Sequence, residues 1–230
     1  MEIKIKMIDG DTNLNLFLPV FPQKDAILVT GAPATIINNW IARGYIELSK
    51  HPKAQALGRK MFSFYDILKL KTMWQLSSLN VQAQFAEKIG MLVVARGSLL
   101  GQRKNKFFEK DWAGMGHSLE IADPKIELEI ILLPENGGIR QGYRFPTIKN
   151  YPLKDTYIAI PADKLCRQTF LYICDLHFEG SKLKTNWELM QTSYTEEEII
   201  EIFEDFERSI SFVREELTLG LQVRFDADKK

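Results

Sequence analysis

The sequence predicts an α+β chain, helical in its first half and mixed in its second. Three observations carry this. Polar and apolar residues alternate over the first twenty positions, helical spacing broken by glycine and proline then runs to about Leu100, and a period of two returns at Ile126. A long apolar repeat of helical period from Thr195 to Leu217 completes the pattern.

At 230 residues, 45% of them hydrophobic and 11% aromatic, the chain can bury one large core or two small ones. Disorder throughout, a collagen-like repeat and a disulfide-stapled miniprotein are excluded. Its two cysteines, Cys166 and Cys174, fit no zinc or redox spacing and read as reduced, buried thiols. The opening MEIKIKMIDG mixes charged and apolar residues, and purely apolar runs stay short. Neither a signal peptide nor a membrane span is expected, and a cytoplasmic setting follows. The net charge is zero, but residues 24–110 hold 14 Lys and Arg against 5 Asp and Glu, while residues 111–230 hold 14 against 22. A basic part is joined to an acidic one, so the average hides an attraction for polyanions.

Residues 1–22 read as a β-hairpin extension, with Ile3, Ile5 and Met7 on one face, a turn at Asp9-Gly10-Asp11, and Leu14, Leu16 and Leu18 beyond it. The spacing predicts a helix over 24–30, a turn at Gly31, and a second helix over 34–43 that follows Pro33 and stops at Gly44. On this second helix Ala34, Ile37, Trp40 and Ile41 share one side. Thr35, Asn39 and Ala42 face the other, with Asn38 and Arg43 at the borders. Tyr45 to Leu48 and Lys60 to Phe62 read as strands flanking a loop whose charges, Lys50, Lys53 and Arg59, are all positive, which describes a basic wing. Ser63 and Asp66 form a capping box for a helix through about Ser78, Asn80 closes it, and another helix runs from Val81 to Ile89 before Gly90. Trp40 and Trp74 fall on apolar faces and read as core.

Residues 97–117, rich in glycine and carrying the run Arg103-Lys104-Asn105-Lys106, read as a linker. Beyond it Ile126, Leu128 and Ile130 alternate with Glu127 and Glu129, and Gly137-Gly138 marks a turn. Tyr157 to Ile160 is a strand, and Pro161-Ala162-Asp163 suits a helix start. Phe170 to Cys174 and Leu219 to Phe225 read as further strands around the helix from Thr195 to Leu217, which Thr195 and Glu198 open in capping-box register. The predicted organisation is an extension at 1–22, a winged helix-turn-helix domain at 23–96, a linker at 97–117 and a mixed α+β domain at 118–230 with a long amphipathic helix near its end.

The segment 23–96 carries the functional reading. A helix fits the major groove of duplex DNA, and asparagine amides pair bidentately with adenine, which makes Asn38 and Asn39, with Thr35 and Arg43 beside them, the candidate readers. Lys50, Lys53, Arg59 and Lys60 on the wing are candidates for phosphate contacts, which anchor without reading sequence.

The runs TGAPATIINNWIARGYI and GRKMFSFYDILKLKTMWQL resemble the winged-helix DNA-binding domain of MerR-type transcriptional regulators and their phage-associated relatives. The likeness lies in the Thr30-Gly31 turn, the proline at the helix start, the aromatic Trp40, the Arg43-Gly44 pair and the Lys60-Met61-Phe62 approach to the next helix. It covers about a third of the chain. The resemblance implies binding to double-stranded DNA, usually as a dimer on a palindromic site, and control of transcription. Pro33 stands one place earlier than the family's proline, and Asn38 stands where many members carry an arginine, so site preference is not carried over. The long helix that in typical members follows the winged helix and pairs across the dimer is not evident, and residues after Gly97 resemble no effector domain.

Ile199, Phe203, Phe206, Ile210, Val213 and Leu217 follow the alternating four and three spacing of a coiled-coil seam. They fit either a dimer interface or an amphipathic helix on its own domain, and Ile200, Ile202 and Phe212 widen the apolar face toward the second reading. His51, His117 and His177 are isolated, and no phosphate-binding loop, nucleophile elbow or two-histidine metal pattern occurs. His177 with Cys174 and Asp175 falls on a segment read as strand, where neighbours point to opposite faces, so no metal site is expected. The expectation is a dimeric, sequence-specific DNA-binding regulator with no enzymatic activity and no cofactor. Its second domain dimerises, takes an effector or meets a protein partner. Two alternatives stay open: a DNA-architectural or phage excision or packaging factor, and a protein-interaction adaptor without DNA specificity.

Overall fold

Local chemistry sets the ends of the first helices. The computed structural model describes residues 16–55, 59–102, 128–135, 138–144, 158–178 and 194–228. β1 (Phe21–Pro22) leads into α1 (Gln23–Thr30), which Gly31 closes at φ 73°, donating its N–H to the Ile27 carbonyl at 2.8 Å. α2 (Ala34–Ala42) starts after Pro33 and ends in a Schellman motif: Tyr45 N–H donates to Trp40 O at 2.9 Å, Gly44 N–H to Ile41 O at 3.0 Å, and Gly44 takes φ 74°. A short α3 (Pro52–Gln55) and β2 (Met61–Phe62) follow. α4 (Phe64–Ser78) opens on the predicted capping box, with Ser63 N–H donating to Asp66 Oδ2 at 2.8 Å and Asp66 N–H to Ser63 Oγ at 3.1 Å. Asn80, at φ 61°, closes it.

Then come α5 (Ala83–Gln102), the strands β3 (Glu129–Glu135), β4 (Gly138–Arg144) and β5 (Ile158–Pro161), α6 (Ala162–Phe178) and α7 (Glu196–Asp228). The three strands form an antiparallel sheet in the order β4-β3-β5, with Glu135 opposite Gly138 at the hairpin end and Ile130 opposite Ile160. α5 packs on α4, α6 and α7. Side chains from Phe17 to Leu217 join in one continuous hydrophobic cluster, so the basic and acidic parts share a core. Inside it Arg96, with no exposed surface, grips Asp163 through Nε at 2.7 Å and Nη2 at 2.9 Å, and Asp163 also accepts Leu128 N–H at 3.1 Å.

Several expectations need correction. Tyr45 to Leu48 is not a strand, and β2 pairs with β1, Phe21 opposite Phe62, so the basic loop is not a two-stranded wing between those segments. α5 does not stop at Gly90 but continues through Gly97 to Gln102, which removes 97–102 from the expected linker. The glycines serve close packing. A Cβ on Gly90 would sit 3.0 Å from Lys69 Cγ, and one on Gly97 would sit 3.1 Å from both Leu68 Cδ2 and Cys166 Sγ.

Phe170 to Cys174 lies inside α6, whose buried residues Ala162, Leu165, Cys166, Thr169 and Ile173 follow a helical period that a short apolar run cannot distinguish from a strand. Leu219 to Phe225 likewise continues α7, because extending an established helix needs no new nucleation. The strand-based reason for discounting metal at Cys174, Asp175 and His177 therefore falls, since these residues are helical. On α7 the stripe Ile199, Phe203, Phe206, Ile210, Val213 and Leu217 packs against the chain's own core, with Ile210 and Leu217 buried and the other four half-buried. Phe203 lies 5.2 Å from Phe17, and Phe206 stacks on Tyr65 at 4.7 Å. Of the hairpin expected at 1–22, residues 1–15 lie outside the described residues, and Leu16 to Val20 form a turn and irregular backbone, not a strand. The linker residues 103–117 with His117, and Ile126, Glu127, Gly137 and Tyr157, also lie outside the described residues.

Candidate nucleic-acid interface

α2 is two-sided. Ile37 and Trp40 are buried against the core and Ile41 is half-buried, while Thr35, Asn38, Asn39, Ala42 and Arg43 are exposed. Ala34, expected on the buried side, is also exposed, because it occupies the first turn just past Pro33. The tight turn before α2 is held by Thr30, whose hydroxyl donates to Ala26 O at 2.6 Å and accepts from Ala32 N–H at 3.1 Å.

Asn38 and Lys60 are brought together. Lys60 Nζ donates to Asn38 Oδ1 at 2.5 Å, and Gln23 Nε2 donates to the same oxygen at 3.0 Å. A bidentate adenine contact needs both the oxygen and the amine of the amide, so Asn38 reads a base in that way only when these donors give way. Asn39, exposed one position on, makes no side-chain hydrogen bond among the described residues. Arg43, Lys50 and Arg59 are exposed and make no ion pair among the described residues. Lys53 differs: its Nζ meets Glu198 Oε2 at 2.5 Å and lies 5.5 Å above the Tyr194 ring. The loop therefore divides its cations, with Arg43, Lys50 and Arg59 open to solvent and Lys53 engaged by α7.

Beside this contact, a groove of about 450 Å³ runs between residues 47–50, the start of α4 and α7. Phe17 and Phe206 line it together with Glu47, Lys50, Asp66 and Arg208. Burial pushes the Asp66 carboxyl above its ordinary range, although Ser63 hydrogen bonds and Lys69 oppose the shift. Arg208 is paired with Asp205 three residues earlier.

In the core, burial raises the Cys166 thiol to about 12, which suits a packed side chain and not a nucleophile. Burial likewise drives the Tyr65 hydroxyl upward. No group of three metal-ligating side chains occurs among the described residues, and no described helix is long and apolar enough to cross a membrane. The sequence does not mark Gln23, His51, Tyr194 and Glu198 as site residues; it places Glu198 only in the capping box with Thr195, and nothing local points to its contact with Lys53. No protein-family model matches the chain, and no curated protein matches it.

Proposed function

We propose that this chain is a sequence-specific, double-stranded DNA-binding transcriptional regulator, with α1, the Gly31 turn and α2 acting as its helix-turn-helix. One observation supports this above the others: the solvent side of α2 carries Thr35, Asn39 and Arg43 beside Lys50 and Arg59, cations that make no ion pair among the described residues, while its other side is core. Asn39 reads base edges, and Lys50, Arg59 and Lys60 anchor on phosphates. Two copies on a two-fold site belong to this reading. Selection of bound sites from a random duplex pool tests it. Enrichment of one motif is expected, and recovery of an unenriched pool, or of no duplex at low salt, would sink it.

A second reading, an adaptor whose basic part meets acidic protein surfaces, draws on the Lys53–Glu198 contact between the two parts of the chain. It predicts salt-sensitive protein association and no preference among duplexes.

A further inference from the structure

Lys53 stands among the cations assigned to phosphate contacts, yet a carboxylate from a segment 145 residues away already occupies it. The contact is built from several groups. His51 Nδ1 accepts the Lys53 backbone N–H at 3.3 Å, which leaves Nε2 as the protonated nitrogen of the neutral ring, 3.8 Å from Glu198 Oε1. Glu198 Oε2 accepts both Lys53 Nζ at 2.5 Å and Thr195 N–H at 2.7 Å. The Tyr194 ring lies 5.7 Å from His51, and its hydroxyl donates to Pro19 O at 3.3 Å, pinning the start of α7 to the N-terminal part.

Lys53 Nζ thus donates to, and His51 Nε2 faces at 3.8 Å, a singly charged group with two oxygens, which is also what a backbone phosphate of DNA presents. The Lys53 side chain keeps 40% of its surface and that of Glu198 24%, so solvent, and with it a phosphate, reaches the pair, while His51, at 8%, opens to a ligand only where the Glu198 carboxylate is displaced. An ion pair this exposed is weak enough to exchange. We propose that Lys53 and His51 form a phosphate-binding point of the DNA-facing surface, and that Glu198 occupies it as an internal competitor. The acidic part of the chain then sets how tightly the basic part holds DNA. This rests on the DNA-binding reading for its ligand but not for the site itself.

Glu198→Gln tests it cleanly, because glutamine keeps the capping-box acceptor for Thr195 N–H and removes only the charge. In the full chain at low salt, Glu198→Gln is expected to tighten binding of a fixed duplex by about two- to five-fold, the range set by an exposed ion pair. The gain should vanish in a Lys53→Gln background. Inorganic pyrophosphate, followed at the His51 ring protons, should likewise bind Glu198→Gln more tightly than the parent. If pyrophosphate responds but no variant binds duplex, the DNA reading fails and the phosphate point stands. If duplex binds and Glu198→Gln alters neither probe, the competitor is overturned while the DNA reading stands. Silence from both probes removes both.

Discussion

Helices α2 and α7 each present an interaction pattern in the sequence, and the fold treats them in opposite ways. α2 has 9 residues, buries Ile37 and Trp40, and leaves its polar side open. α7 has 33 residues and an apolar repeat regular enough for a coiled coil, yet that repeat lies on α5 and the aromatic cluster of Phe17 and Tyr65. An apolar stripe states only that something covers it, and the nearest cover is the chain's own core. The polar side of α2 stays in water, where any amphipathic helix keeps it, so an external partner there is read from its residue types and neighbouring charges and not from its exposure. What stays exposed on α7, such as Phe212 and Ile200, lies off the repeat.

The largest test of this contrast is Phe206→Ala. Phe206 stacks on Tyr65 and faces Phe17 at 6.3 Å. As an internal packing residue it should cost about 3 kcal/mol in urea unfolding, the low end for core phenylalanines because it is partly exposed. A midpoint that depends strongly on protein concentration and loses that dependence in the variant would instead mark α7 as a dimer seam.

On α2, Asn39→Ala should change stability by less than about 0.5 kcal/mol. It should reduce discrimination between the selected site and single-base variants by about 1–2 kcal/mol. Equal weakening on every duplex would remove Asn39 from the reading face. Arg59→Ala, which removes a proposed phosphate contact, should weaken all duplexes alike and lower the slope of log affinity against log salt by about 1. An unchanged slope would place Arg59 away from DNA.

The smallest effect concerns the point where α7 meets the loop. The Lys53 hydrogen bond, then that from Thr195, holds the Glu198 carboxyl below its ordinary value of 4.5. A carboxylate depressed in the folded state stabilises the fold above its unfolded pKa, and that contribution fades as pH falls below 4.5 through the folded value. Carbon-13 titration should show a Glu198 midpoint below 4.5 that rises in Lys53→Met. A midpoint indifferent to Lys53→Met would break the contact.

Much of the fold was legible where hydrogen bonds join near neighbours. Gly31, Gly44, Asn80, Ser63 with Asp66, and Thr195 with Glu198 all end or begin helices as their residue types require, because each bond spans only a few positions. The exposed side of α2 was legible for the same reason, since one turn of helix fixes which residues share a face. The wing was not, because β2 pairs with β1 and skips the neighbouring segment. Phe170 to Cys174 misled because a short apolar run satisfies a strand as well as a stretch of helix, and in α6 it spans the buried Ile173 and the exposed Tyr172.

The sequence by itself determined the ends of α1, α2 and α4, the start of α7, the polar side of α2 and the separation of basic from acidic charge, all of which follow from local backbone geometry and composition. Tertiary structure alone decided that Arg96 would be buried on Asp163 from 67 positions away, that the α7 repeat would be covered from within, and that Glu198 rather than solvent would hold Lys53. Such pairings depend on which elements the shared core brings side by side, and a charge's final partner is set by that placement, with no trace in the residues around it.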